Sequence, residues 1–153
     1  MATKVQTKSA ELYEADFYVW AEEQAALLRA RRFDALDLDN LIEEVQGLAD
    51  ARLAAVLSNA AVVIEHLLKL QHSPATEPRI SWRASVREHR RRLWIDSTPR
   101  LTQTLANRLP ELYARARDDA AAGMRDHGEH TAADALPTAC PYGLHEITGD
   151  WWP

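Results

Sequence analysis

The 153-residue sequence predicts an all-α protein, on three observations. Only five glycines are present, and no stretch shows the apolar–polar alternation of a half-buried strand. Apolar residues recur instead at helical spacing, in segments punctuated by Asp16, Asp37, Pro74, Pro78 and Pro99. A composition of 46% hydrophobic and 27% charged residues is that of a folded chain, not a disordered one. The length favours one domain with a real core. We expect a bundle of about four main helices over residues 13–153, with a long central helix and a docked Trp-rich C-terminal segment. A flexible tail over residues 1–12 precedes it.

The first helix is expected to start after Asp16, whose carboxylate suits an N-cap. Phe17, Trp20, Gln24, Leu27, Leu28 and Arg31 then follow one mainly apolar face. RFDALD connects to Asp37, a second N-cap candidate. Residues 38–72 hold a proline-free helical pattern. Straight, it would be about 52 Å long at ~1.5 Å per residue, against a diameter of roughly 40 Å for a compact chain of this size. A kink near Gly47 would relieve the conflict, since glycine is a poor helix-interior residue. A dimer partner completing the long helix is the alternative. Residues 53–70 are apolar on more than one face, as in the central helix of a bundle.

HSPATEPRI reads as a loop, with Ser81 capping the next helix. DSTP ends that helix and opens another, with Ser97 or Thr98 as N-cap and Pro99 at the first helical position. Leu101, Leu105, Leu109, Leu112 and Ala116 carry its apolar stripe to about Ala122, and Pro110 should kink or split it. GMRDHGEH is polar and reads as loose. The tail ALPTACPYGLHEITGDWWP holds Leu136, Tyr142, Ile147, Trp151 and Trp152. So many large apolar groups should dock onto the body.

A net charge of −5 provides no global field to recruit nucleic acid. Cys140 is the only cysteine, so no intramolecular disulfide forms and a reducing compartment fits. The N-terminus lacks the apolar core of a signal peptide. The longest uncharged apolar-rich run, residues 53–64, falls short of the ~20 residues that span a bilayer. These features predict a cytoplasmic protein with no membrane association.

Several segments, in order, carry a family resemblance: DFYVWAEEQAALLRARRFDALDLDNLIEEV, HLLKLQ, SWRASVREHRRRL, and the closing CPY and DWWP. Together they resemble the bacterial family called domain of unknown function 29, over about Tyr13 to Trp152. The resemblance implies a helical single domain. It implies no activity and transfers no site residue.

Two side-chain constellations stand out. Residues 79–92 contain six arginines and one acid, Glu88, on an otherwise acidic chain. Arg83, Arg87 and Arg90 share a stripe with Trp94, and Arg91 lies close by; Trp82, Val86, His89 and Leu93 form the neighbouring packing stripe. The arginines could hold phosphates or a partner. The plainer reading pairs them with acids of the protein itself, Glu22, Glu23, Glu43 and Glu44 among them. Helix-turn-helix, zinc-finger and RNA-recognition signatures are absent, so nucleic acid is disfavoured.

The second constellation, Arg52, Asn59, His66 and Lys69, shares one face of the long helix. It is read as a solvent edge, or as a buried network joining His66 and Lys69 to a carboxylate such as Glu44. Glu65 and His66 are adjacent, not three apart as a bundle metal site requires, and HGEH sits outside any regular helix pattern. No nucleophile elbow, phosphate loop or cysteine cluster occurs. We therefore expect no cofactor, no metal and no catalytic residue. The leading expectation is a non-enzymatic protein-interaction or regulatory module, with a homodimer by way of the long helix as one form of it. An anion site at Arg83, Arg87, Arg90 and Arg91 is the alternative, and an enzyme centred on His66 and Glu44 the third.

Overall fold

The computed structural model describes residues 11–153; residues 1–10 lie outside it, and with them most of the tail expected over 1–12. Among the described residues there is no strand. Residues 11–15 are helical. There follow α1 (Phe17–Arg29), a 3₁₀ turn (Phe33–Ala35), α2 (Leu38–His72), α3 (Arg79–Asp96), α4 (Pro99–Asp126), α5 (His130–Asp134) and α6 (Leu144–Thr148). By contacts the chain divides into two compact units, Met1–Asp50 and Ala51–Pro153.

In the first unit, Asp16 caps α1 as expected, its carboxylate accepting from the Val19 amide at 3.1 Å. The helix ends in a Schellman arrangement, with the Arg31 amide bonded to the Leu28 carbonyl and the Arg32 amide to that of Leu27. Arg31 itself takes the left-handed conformation, φ 55°, where glycine is the usual occupant. Asp37 ties α1 to the start of α2. Its carboxylate accepts from the Trp20 indole at 3.1 Å and from the Asn40 amide at 2.8 Å, while its own amide donates to the Gln24 side chain at 2.9 Å. Tyr13 and Phe17 pack against the Trp20 ring at 4.8 and 5.5 Å. Trp20, Gln24, Ala35, Leu36 and Asp37 are the buried residues here, so the unit is stitched by one polar hub and has very little apolar core.

The helix α2 is continuous through Gly47, where sequence placed a kink, and it is not broken there. A Cβ at Gly47 would meet nothing within 4 Å, so the glycine answers no packing need. α2 is long and apolar enough to cross a bilayer by length and composition. Much of that apolar surface lies inside the second unit, where Val56, Ala60, Val63, Ile64, Leu67 and Leu68 form the centre of its core.

Around that centre, Val86 and Leu93 come from α3, Leu105, Tyr113, Ala116 and Ala120 from α4, and Leu136, Tyr142 and Ile147 from the C-terminal segment. The segment docks, as expected. α3 starts at Arg79, two residues before the expected cap: Ser81 lies in the first turn and its hydroxyl donates to the Pro78 carbonyl at 2.7 Å. The Arg79 guanidinium reaches back to the Leu70 carbonyl at 2.7 Å, placing a cation near the C-terminal end of α2. Thr98 and Pro99 open α4 as expected. Pro110 does not split it, because Leu105 on one side and Tyr113 and Ala116 on the other are both held in the same core. GMRDHGEH is not loose: it contributes the end of α4, a turn at Gly128 (φ 79°) and the first residue of α5.

Candidate functional site

On α3 the four arginines singled out from sequence divide among different tasks. Arg90 is buried. Its guanidinium donates to the carbonyls of Ile147 (3.0 Å), Trp151 (2.7 Å) and Glu146, collecting the last turn of α6 and the chain beyond it. It also lies 5.0 Å from the Trp152 ring, which Arg83 approaches at 5.3 Å. Burial pushes the Arg90 guanidinium below its ordinary range, and Asp150 opposes the shift. Arg91 and Arg92 share Glu88 on their own helix, at 3.0 and 2.9 Å. These pairs are exposed and contribute little to stability. Arg87 is exposed. Arg90 thus engages backbone carbonyls and Arg91 the acid of its own helix, Glu88, while Glu22, Glu23, Glu43 and Glu44 are not their partners.

Sequence reasoning missed Arg90 as a clamp, though its position carried a signal. Arg90 stands about 40° from Val86 around the helix, on the border of the packing stripe. At that angle a long cation runs over the core to its edge. Arg117 was missed in the same way. It donates to the carbonyls of Pro137 (2.8 Å) and Leu136, beside the Tyr113 hydroxyl, which donates to Pro137 at 2.6 Å.

The line Arg52, Asn59, His66 and Lys69 proves to be neither a uniform solvent edge nor one network. Arg52 is exposed and stands 4.0 Å from Asp96. Asn59 is buried, donates to the Ala55 carbonyl at 2.8 Å and accepts from His89 Nδ1 at 2.7 Å. His66 Nδ1 lies 2.9 Å from the Val62 carbonyl. Lys69 takes Glu65, one turn earlier, at 2.6 Å. Glu44, the carboxylate expected for that role, belongs to the first unit and accepts from the Tyr13 hydroxyl at 2.7 Å. That hydrogen bond is the first cause pushing the Tyr13 pKa up to about 12.

Two histidines in the second unit titrate below the usual imidazole range. Burial is the first cause for both, reinforced at His89 by Arg92 and His66 and opposed there by Glu88. His72 Nε2 is buried without a hydrogen-bond partner. The unfolded chain, with imidazoles near about 6.5, therefore takes up protons first as pH falls. Stability from these groups is complete above about pH 6.5 and is lost below it, toward the lowered folded values. Melting curves should show a falling midpoint between about pH 7 and about pH 5, a slope that His72→Gln and His89→Gln together flatten. An unchanged slope in the double variant would assign it to other groups.

Two surface features remain. One is on α2 in the first unit, where Leu38, Ile42, Val45 and Leu48 are 54, 54, 64 and 69% exposed. Their spacing puts them on a single face. The other is a cavity of about 500 Å³ in the second unit, walled by Trp82 and Met124 and containing Lys69, Glu77, His127 and Glu129. No group of three or more His, Cys, Asp or Glu among the described residues is placed to hold a metal ion. Cys140 has its thiol pushed up by burial, the opposite of an activated nucleophile.

Comparison with known proteins adds one match. The family model described as domain of unknown function DUF29 covers residues 12–152. No curated protein and no solved structure matches the chain.

Proposed function

Since the chain belongs to the DUF29 family, whose description names no activity, we propose from its own surface that it is a non-enzymatic interaction module. The observation that carries this reading is the exposed stripe Leu38, Ile42, Val45 and Leu48. Four large aliphatic groups on one helix face, each more than half exposed, are an uncommon feature of a surface that faces only water. Their setting indicates the kind of partner. Residues 11–50 hold eleven acidic residues against three arginines, and Asp39, Glu43 and Asp50 flank the stripe on one side. The surface suits a partner protein presenting a basic amphipathic helix, with apolar anchors on the stripe and cations along its acidic border. A cytoplasmic site of action is part of this reading; the burial of Val56, Ala60, Val63 and Leu67 of α2 in the second unit's core supports a soluble protein.

A labelled amphipathic helical peptide of leucine and lysine should bind the intact protein, measured by fluorescence anisotropy. A leucine–glutamate peptide of the same pattern should bind at least tenfold more weakly, a difference of about 1.4 kcal/mol. Ile42→Ser with Val45→Ser should abolish binding and leave the melting temperature unchanged, because both side chains are already exposed. Equal binding of the two peptides would overturn the reading. So would a stable dimer that this double variant dissociates, since a second copy would then occupy the stripe.

A further inference from the structure

The cavity beside Lys69 has polar features that the second unit leaves incomplete. Lys69 is the one lysine among the described residues, and its side chain is only 13% exposed. An ammonium has three N–H donors, and Glu65 occupies one. Glu129 also lines the cavity, and its Oε2 is buried and receives no donor, a condition native interiors rarely leave standing. The lining also includes the apolar and aromatic side chains of Trp82 and Met124. Gly123 keeps the space open: a Cβ there would stand 2.8 Å from Lys69 Nζ and 3.2 Å from its Cε.

We propose that this cavity binds a small zwitterion with a large apolar side chain, of the kind represented by a free apolar α-amino acid. Lys69 receives the carboxylate, and Glu129 receives the ammonium. Glu77, on the same lining, adds to the negative potential of the cavity and disfavours a simple anion. Trp82 and Met124 cover the side chain. A cavity of about 500 Å³ falls within the ordinary range for small-ligand sites and accommodates an aromatic amino acid with some water. This site is independent of the stripe on α2, so either can fail without the other.

Isothermal titration calorimetry of the intact protein tests it with three probes: L-phenylalanine, phenethylamine, which lacks the carboxylate, and 3-phenylpropanoate, which lacks the ammonium. L-Phenylalanine should bind at least about tenfold more tightly than either analogue. Glu129→Gln should weaken L-phenylalanine and phenethylamine and leave 3-phenylpropanoate unchanged. Gly123→Ala displaces the flexible end of Lys69 and should weaken L-phenylalanine and 3-phenylpropanoate only. Circular dichroism establishes that each variant is folded, and if Gly123→Ala is not, Lys69→Met replaces it. No heat from L-phenylalanine at millimolar concentration overturns the proposal. So does phenethylamine binding as tightly as L-phenylalanine, which would leave Lys69 without a role.

Discussion

Arg90→Met is expected to lower the stability of the Ala51–Pro153 unit by about 3 kcal/mol. Methionine retains much of the apolar stem but none of the donors, so the carbonyls of Glu146, Ile147 and Trp151 lose the cation that gathers them. The last carbonyls of a helix have no partners within it, and here they have little water to turn to. The contact with the Trp152 ring is lost as well. Arg90→Lys should recover less than half of the loss, since one ammonium cannot reproduce the planar fork that spans three acceptors. Urea unfolding followed by far-UV circular dichroism measures both. A change within about 0.5 kcal/mol of wild type for Arg90→Met would mean that apolar packing alone docks the C-terminal segment.

Trp20→Ala has the second large expected effect, and in the first unit. Removing a buried tryptophan costs about 3–5 kcal/mol where the surroundings cannot collapse. The ring here supports Tyr13 and Phe17 and supplies one of the donors to Asp37, a buried carboxylate that would keep the Asn40 amide. With so few other buried residues, the hairpin has little left to hold it. Amide hydrogen exchange over Phe17–Arg29 should approach the unprotected rate, while amides of residues 56–70 keep their protection. Trp20→Phe separates the two contributions, retaining most of the ring volume and losing the donor. Persistent protection of α1 in Trp20→Ala would refute the hub. Loss of protection in both regions together would show that the two units unfold as one.

How much of this was legible in the sequence depended on whether the determinant was local. Asp16, Thr98 and Pro99 act within a single turn, and their cap roles could be read from residue type and position. The apolar periodicity of residues 53–70 marked the core helix correctly. Neither Pro110 nor Gly47 breaks its helix, because propensity is a weak local preference, and packing on both sides of Pro110 outweighs it. The arginine stripe was legible as a stripe only. Spacing places Arg83, Arg87, Arg90 and Arg91 around a helix, but the carbonyls that Arg90 meets come from 56 to 61 residues further along. The cavity likewise joins Lys69 of α2 to residues 75–82 and 123–129, a meeting that no periodicity encodes.

Arg90's acceptors also bear on the order in which the molecule can be completed. They lie within the final eight residues of the sequence. During synthesis residues 146–151 follow α3 out of the ribosome, so a guanidinium destined for burial must stay hydrated until they have emerged. The second unit is therefore expected to close only once those residues are free to fold back onto α3. A chain truncated before residue 146 would carry the same guanidinium with none of these three acceptors.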